Sequence, residues 1–230
     1  MKRIILIVVA AAWVMAARAD DASRWARYSF YAEANDSLVA TGARPEVVMM
    51  GNSITQFWPE RGAMYAGHPE IVSRGISGQT SAQMLLRFYA DVVALHPRVV
   101  VIGAGTNDIA ENAGPYSQTQ TMNNIRAMVG IALAEGIVPV LATVPPAERF
   151  SWRPEVTDAM ARIQALNAQI RQYAAEKGLT CVDYYPLLLN ADGTGMDPAM
   201  AVDRPAVHPN RRGYALMEAA LLAALSGNNL

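Results

Sequence analysis

A serine follows a short apolar run that is typical of a buried strand. The run is Val47–Met50, and Gly51 and Asn52 separate it from Ser53. In an open α/β sheet, ligands bind beyond the carboxyl ends of the strands. A serine placed there, at the start of the next helix, can be a nucleophile close to backbone N–H groups. The alternative is an ordinary strand end at which Ser53 caps the helix, the commoner role of serine at such a point.

Two further glycine-containing segments follow predicted strands, and they contain groups that can stabilise an oxyanion. The segments are 74–80 (Arg-Gly-Ile-Ser-Gly-Gln-Thr) and 105–108 (Gly-Thr-Asn-Asp). Ester cleavage by a serine requires a base for its proton and hydrogen-bond donors for the oxyanion that forms. Gly78 lacks a Cβ, so its backbone N–H can come close to a substrate oxygen. Asn107 can add a side-chain amide donor, and Ser53 its own N–H.

Three histidines are candidates for the base. His68 and His96 each precede a proline at the end of a predicted element, where a capping or solvated role is expected. His208 lies between an irregular segment and the last predicted helix, in the sequence Val207-His208-Pro209-Asn210. His208 is therefore the candidate base.

The elements that position these residues alternate between strand and helix, which predicts a parallel, doubly wound sheet with right-handed crossovers. The predicted strands are Glu46–Met50, Ile71–Val72, Arg98–Ile102, Ile137–Val144 and Leu179–Asp183. The predicted helices are Ser23–Leu38, Ser81–Leu95, Tyr116–Glu135, Glu155–Lys177 and a last one from the N-cap Asn210 to Leu225. No repeat or linker divides this pattern, so one domain is expected. The glycine-rich strand ends should meet at one edge of its sheet.

The N-terminal residues have the layout of a cleavable secretory signal. Two basic residues precede an apolar stretch, Ile4–Met15, and the small-x-small sequence Ala17-Arg18-Ala19 follows. The apolar stretch is shorter than the roughly 20 residues of a membrane span. We therefore predict a signal peptide at 1–19 and a single exported domain at 20–230, in the bacterial periplasm or secreted. The alternative is an uncleaved anchor helix.

Charge and cysteine content restrict the possible partners. Cleavage would remove three of the 19 basic residues and leave 16 against 20 acidic ones, a net charge of about −4. With no basic stripe, nucleic acid is not an expected partner.

Cys181 is the only cysteine, so no internal disulfide can form, and it does not stand at the processing site where a lipid would be attached. One cysteine and three histidines make a structural zinc site unexpected. Neither a metal nor a cofactor is predicted.

Four segments together resemble the conserved blocks of the SGNH hydrolases, also called GDSL esterases/lipases, in both order and spacing. The segments are Gly51–Thr55, Arg74–Thr80, Gly105–Asp108 and His208–Asn210. The resemblance implies a flavodoxin-like three-layer α/β/α fold with a five-stranded parallel sheet. It also implies ester hydrolysis through an acyl-enzyme without a cofactor. In that resemblance Ser53 is the nucleophile, His208 is the base, and Ser53 N–H, Gly78 and Asn107 form the oxyanion hole.

The sequence departs from the family pattern at two positions. Asn52 stands where the family usually has Asp, which is a mild change because members with Gly-Asn-Ser-Ile-Thr form a recognisable subgroup. The acid usually found three residues before the histidine is replaced by Pro205, and Asp203 lies five residues before His208. That acid normally holds the imidazole in its tautomer and stabilises the imidazolium. Three outcomes remain: Asp203 reaches His208 through a bulged loop, a backbone carbonyl orients His208, or the enzyme is impaired.

The sequence offers three alternatives to an SGNH hydrolase. Gly103-Ala104-Gly105 suggests a dinucleotide-binding loop, but Asp108 stands where its third glycine would be. A conventional α/β-hydrolase would have Gly-x-Ser-x-Gly, which this chain lacks. The strongest rival is a non-catalytic SGNH-like module that binds a glycan, and Pro205 is the feature that favours it.

The sequence indicates the substrate only in outline. The family includes enzymes for lysophospholipids, thioesters, acetylated sugars and simple esters. A short chain without an evident lid favours short acyl groups, such as acetyl on a carbohydrate, over long lipid chains. A lysophospholipase or thioesterase is the alternative. Trp152, in the loop 145–154 after the fourth predicted strand, is a candidate stacking platform for the substrate. The alternative is that Trp152 merely anchors this loop to its own domain.

Overall fold

The sheet has five parallel strands in the order β2-β1-β3-β4-β5, the strand order of flavodoxin-like folds. The computed structural model describes residues 23–227, so the predicted signal peptide lies outside the described residues. The strands are β1 Val47–Gly51, β2 Ile71–Gly75, β3 Val99–Ile102, β4 Val138–Ala142 and β5 Cys181–Val182. The predicted fold class is confirmed. Because β1 lies between β2 and β3 and pairs with both, the three strand ends that precede the glycine-rich segments are neighbours.

Helices cover both faces of this sheet. Those after the helical turn at residues 23–26 are α1 Ala32–Thr41, α2 Ser53–Gln56, α3 Trp58–Arg61, α4 Met64–Gly67, α5 Ser81–Asp91, α6 Thr106–Ile109, α7 Gln118–Ala134, α8 Ala159–Lys177, α9 Tyr185–Leu188 and α10 Arg211–Gly227. Two 3₁₀ turns lie at Val93–Leu95 and Pro198–Met200. Within residues 23–227 no helix combines the length and the apolar character needed to cross a lipid bilayer.

Alternate side chains of β1 enter two separate cores. Val48 and Met50 pack in the core formed with α5, α7 and α8, whereas Val47 and Met49 pack in the core formed with α10. A strand covered on both faces must be apolar at every position, which explains the continuous apolar run before Gly51. The three layers therefore hold the carboxyl end of β1 rigidly at the centre of one edge.

The N-terminal helix prediction was wrong in its extent. One helix was predicted at Ser23–Leu38, but helical residues 23–26 are followed by turns, and α1 begins only at Ala32. Arg27 has a positive φ of 54°, which no helix accommodates. The break lets the Tyr31 hydroxyl donate to the carbonyl of Gly75 at the end of β2, 2.5 Å away.

Candidate active site

Ser53 is the first residue of α2, immediately beyond the end of β1. The N-cap of this helix is Asn52, whose side-chain oxygen accepts the N–H of Ile54 at 3.0 Å. The alternative role of Ser53 as an N-cap is therefore wrong, because Asn52 already fills it. The Ser53 hydroxyl is therefore not used to cap the helix.

Two strand-end glycines let α2 lie directly against the sheet. A Cβ on Gly51 would stand 2.0 Å from the Thr55 hydroxyl, and one on Gly75 would stand 2.3 Å from the backbone nitrogen of Gln56. Neither position can accept a larger residue without moving α2. The glycines thus fix the position of the turn that carries Ser53.

His208 and Asp203 lie in line with Ser53. The Ser53 Oγ is 2.9 Å from His208 Nε2, and His208 Nδ1 is 2.5 Å from Asp203 Oδ2. The other oxygen of Asp203 accepts the backbone N–H groups of Val207 and His208, at 2.9 and 3.0 Å. The loop thus folds back on the carboxylate, and its Arg204–Pro205 peptide bond is cis. The sequence left three outcomes open for His208, and the geometry matches the one in which Asp203 reaches it through a bulged loop.

The Asp203 carboxyl is held in its ionised form. Burial raises its pKa, but the hydrogen bonds from the His208 ring and from the N–H groups of Val207 and His208 outweigh burial. The net result is a pKa below the usual range for Asp. A carboxylate facing Nδ1 favours the tautomer that leaves Nε2 free to accept a proton.

The backbone on either side of His208 is fixed by two contacts. The carbonyl of His208 accepts the N–H of Val202 at 3.0 Å. Asn210 caps α10 as predicted, since its side-chain oxygen accepts the N–H of Arg212 at 2.9 Å, and its amide donates to the carbonyl of Ala199 at 2.9 Å. The start of α10 and the loop before Asp203 are thereby joined beneath the imidazole.

The two predicted oxyanion donors besides Ser53 line the same cleft as Ser53 and His208. Gly78 has a φ of +81°, and a Cβ there would meet nothing within 4 Å, so the residue borders open space. Asn107, in α6, is buried, and its Nδ2 donates one hydrogen to the carbonyl of Gln79 at 2.9 Å. Its Oδ1 accepts from Asn112 Nδ2 at 2.9 Å. One Nδ2 hydrogen of Asn107 remains for a ligand.

These residues line one open cleft of about 300 Å³. Its lining consists of Ser53, Phe57, Ser77, Gly78, Asn107, Asn112, Trp152 and His208. Every candidate site residue named from the sequence lies in this lining, except Asp203, which stands behind His208. The sequence reasoning did not single out Phe57, Ser77 or Asn112. Asn112 carries no motif signal, since it belongs to an irregular segment beyond the third block.

Trp152 stands at the rim of the cleft. Its side chain is 40% exposed, its ring centre lies 6.3 Å from that of His208, and its indole N–H donates to Asn112 Oδ1 at 2.9 Å. Phe150 of the same loop is fully buried and lies against the Trp152 ring at 5.3 Å. Because the bond to Asn112 also ties Trp152 to the rest of the domain, its two predicted roles, stacking platform and loop anchor, both stay predictions.

The acidic residue of the third block faces away from the cleft. Asp108 accepts the backbone N–H of Ser81 at 2.9 Å and the hydroxyl of the same residue, and so caps α5. Burial raises the pKa of Asp108, and the hydrogen bonds from Ser81 offset this only in part. Among residues 23–227, no group of three or more His, Cys, Asp or Glu side chains is arranged to hold a metal ion.

The sequence and the fold are similar to those of known proteins. Residues 36–216 match the model of the GDSL-like lipase/acylhydrolase family. A GDSL-like lipase from Bacteroides thetaiotaomicron is 41% identical, with a TM-score of 0.81 over 89% of this chain and 99% of that one. A protein from Bacteroides fragilis assigned as an acylhydrolase is 39% identical, with a TM-score of 0.82 over 89% of this chain and 98% of that one.

A curated relative is similar over a shorter segment. It is an uncharacterized lipoprotein of Bacillus subtilis, 34% identical over 83 residues, which are 35% of this chain. The match spans about a third (34%) of the length of that relative.

Proposed function

The chain belongs to the GDSL-like lipase/acylhydrolase family and is a hydrolase of ester bonds, and we propose that Ser53 is its nucleophile. The observation that carries the proposal is the chain of contacts from Ser53 Oγ through His208 to Asp203, beside a cleft that Ser53 and His208 line together with Gly78 and Asn107. In this proposal His208 is the general base and Asp203 holds its tautomer.

The proposed reaction has two halves. His208 Nε2 takes the proton of Ser53 Oγ as this oxygen attacks the ester carbonyl. The resulting oxyanion accepts hydrogen bonds from the backbone N–H groups of Ser53 and Gly78 and from the side-chain amide of Asn107. Collapse of the tetrahedral intermediate breaks the bond to the alcohol oxygen, which takes the proton from His208. Water then attacks the acyl-enzyme and gives a proton to His208. When the second tetrahedral intermediate collapses, the bond from the acyl carbon to Ser53 Oγ breaks, Oγ takes the proton back from His208, and the carboxylic acid leaves.

The proposed substrates are short acyl esters, with acetyl esters of carbohydrates as the favoured class. A cleft of about 300 Å³ is at the lower end of the range for ligand sites, which suits a small acyl group on a compact alcohol. The exposed indole of Trp152 offers a flat apolar surface beside the imidazole for the alcohol part. A lysophospholipase or thioesterase would instead need room for a long acyl chain or a thiol carrier.

The non-catalytic alternative has lost its support. It depended on Pro205 occupying the position of the usual acid, but Asp203 contacts His208 in spite of the longer spacing. Ser53, His208 and Asp203 thus form an unbroken chain of contacts beside the cleft, an arrangement that a pure binding module would not need and that favours the catalytic proposal.

Hydrolysis of p-nitrophenyl esters from acetyl to palmitoyl tests both parts of the proposal. We expect wild type to be fastest on acetyl or butyryl esters and Ser53→Ala to lose at least about 10⁴-fold in kcat/KM, since the nucleophile is removed. Ser73→Ala is a matched control, because Ser73 donates to the backbone of α2 outside the cleft. Equal rates for wild type and Ser53→Ala would overturn the nucleophile, and a preference for palmitoyl esters would overturn the substrate class.

We propose that residues 1–19 are a signal peptide and that the chain from 20 onward acts outside the cytoplasm. The basic, apolar and small-residue pattern supports it, as does similarity to a relative whose name is lipoprotein. Mass spectrometry of the protein from a periplasmic fraction should show a chain that begins at Asp20, and an intact residue 1 in that fraction would contradict cleavage.

A further inference from the structure

Asn112 bonds to three residues of the cleft at once. Its Nδ2 donates to Asn107 Oδ1 at 2.9 Å and to the carbonyl of Gly78 at 3.2 Å, and its Oδ1 accepts the indole N–H of Trp152 at 2.9 Å. Its backbone N–H also donates to the carbonyl of Asn107 at 3.0 Å. One side chain thus joins both proposed oxyanion donors to the aromatic residue at the rim.

The orientation of the Asn112 amide is determined by these partners. An indole N–H can only donate, and a backbone carbonyl can only accept. A flipped amide would place its NH₂ group against the Trp152 N–H and its oxygen against the carbonyl oxygen of Gly78. Only one orientation satisfies both partners, so Asn112 must present its NH₂ group to Asn107 and Gly78.

This orientation is passed on to Asn107. Because Asn107 Oδ1 accepts from Asn112, its Nδ2 must point toward the carbonyl of Gln79, which it contacts at 2.9 Å. The second hydrogen on that nitrogen is left for the oxyanion. Without a donor at residue 112, the Asn107 amide would lose one of the two contacts that select this orientation and would be held by the carbonyl of Gln79 alone.

Gly78 needs the same support for a different reason. Glycine at a φ of +81° has no Cβ to restrict its backbone, and no atom lies within 4 Å of the place where one would stand. The hydrogen bond from Asn112 holds the carbonyl of Gly78 and thus the peptide plane that follows this residue. The Gly78 N–H lies in the preceding plane, so the contact restrains this donor indirectly, through the Cα that the two planes share. Catalysis by an oxyanion hole depends on donors that are fixed before the charge develops.

We propose that Asn112 is a positioning residue of the esterase. It fixes the two oxyanion donors supplied by Gly78 and Asn107 and is itself held by the Trp152 indole N–H. This inference rests on the proposed function, since it assumes that these donors serve the ester carbonyl.

The variants Asn112→Asp, Trp152→Phe and their combination test this proposal in p-nitrophenyl acetate hydrolysis. Asp has the same shape and can still accept from Trp152, but its carboxylate cannot donate to Asn107 or Gly78. We expect kcat to fall about 10- to 100-fold, less than the loss of an oxyanion donor itself, while KM changes by less than about threefold. Trp152→Phe keeps an aromatic ring and should lower kcat by less than about fivefold.

The double variant separates positioning from independent damage. If the indole N–H acts on the donors only through Asn112, the kcat of the double variant should match that of Asn112→Asp within about twofold, whereas independent effects would multiply. Affinity for a trifluoromethyl ketone, which forms a tetrahedral adduct on the serine, should fall in parallel with kcat/KM. A purely structural role would lower the melting temperature and the fraction of labelled Ser53 but leave this affinity per active site unchanged.

Asn123→Asp is the matched control for the added charge. Asn123 lies on the exposed side of α7 and contacts Arg126, away from the cleft. It should keep wild-type kcat. Wild-type kcat and ketone affinity in Asn112→Asp, together with an inactive Ser53→Ala, would overturn the positioning role alone. An active Ser53→Ala would overturn the proposed function on which it rests.

Discussion

The two sides of Ser53 are held by different means. On the donor side, a fully buried side chain, Arg87, joins the end of β1 before Ser53 to the loop residue Gln79 after Gly78. On the base side, a loop closes through backbone N–H groups on the Asp203 carboxylate, whose side chain is 31% exposed. The donor side is therefore part of the core, whereas the base side is a surface loop that depends on one ionised group.

Arg87 makes the donor side a single unit. Its guanidinium donates to the carbonyl of Gly51 at 3.1 Å, to Gln79 Oε1 at 2.5 Å and to Asp91 Oδ2 at 2.8 Å. Gln79 in turn accepts from Asn107 through its backbone carbonyl. A charge so deeply buried is tolerated only when it is paired and hydrogen-bonded, as it is here.

The largest effect that we expect comes from the base side, in Asp203→Asn. The Asn oxygen can still accept the N–H groups of Val207 and His208, so its NH₂ group must face His208 Nδ1. That donor would force the imidazole proton onto Nε2, where it blocks proton transfer from Ser53. We expect kcat for p-nitrophenyl acetate to fall about 10³- to 10⁴-fold, with thermal unfolding close to wild type.

Asp197→Asn is the control for this variant. Asp197 precedes Asp203 in the same part of the chain and caps the 3₁₀ turn Pro198–Met200 by accepting the N–H of Ala199, without contacting His208. It should keep nearly all activity. If Asp203→Asn kept it too, the acid would not hold the tautomer, and a backbone group would have to orient His208.

The next effect concerns stability on the donor side, in Arg87→Met. Removing the cation leaves the buried Asp91 carboxylate without its charge partner, which typically costs about 3–5 kcal/mol. Urea denaturation measures this loss as a change in the free energy of unfolding. Arg149→Met, which removes an exposed pair with Glu148, should change stability by at most about 1 kcal/mol. Equal losses in the two variants would mean that Arg87 does not hold the donor side together.

The same contrast explains how much the sequence could predict. Gly51 ends β1, and Gly78 and Asn107 follow the ends of β2 and β3 within a few residues, so their convergence follows from the strand pattern and the strand order. Whether Asp203 contacts His208 did not follow from the pattern. The spacing of five residues does not determine the path of the loop, which depends on two backbone N–H groups turning toward the carboxylate.

Two other features could not be predicted from the sequence, because they too depend on tertiary structure. The break at Arg27 places a non-glycine residue at positive φ, and no glycine or proline marks it. The role of Asn112 depends on how the segment after α6 folds back over Gly78, a contact between residues 34 positions apart. Such contacts are set by tertiary packing, and local periodicity does not report them.

The smallest effect that we expect concerns the free energy of unfolding. The contributions of Asp108 and Asp203 to it should depend on pH in opposite directions. Burial raises the pKa of Asp108 in the folded protein, so its charge opposes folding. That cost is absent below the unfolded pKa and is complete once the pH exceeds the folded pKa. Hydrogen bonds from His208 and Val207 outweigh burial at Asp203 and lower its pKa. Its contribution is therefore present above the unfolded pKa and is lost as the pH falls through the folded value.

Urea denaturation of wild type, Asp108→Asn and Asp203→Asn between about pH 2 and pH 7 measures both contributions. The free energy of unfolding of wild type minus that of Asp203→Asn should rise with pH, because the carboxylate gains its stabilising bonds as it ionises. The corresponding difference for Asp108→Asn should fall with pH, because an amide at this position carries no charge to bury. The lost hydrogen bonds of each variant shift the curves but do not change the sign of their slopes. Slopes of the same sign would contradict the distinction between a buried capping carboxylate and a carboxylate held by the histidine loop.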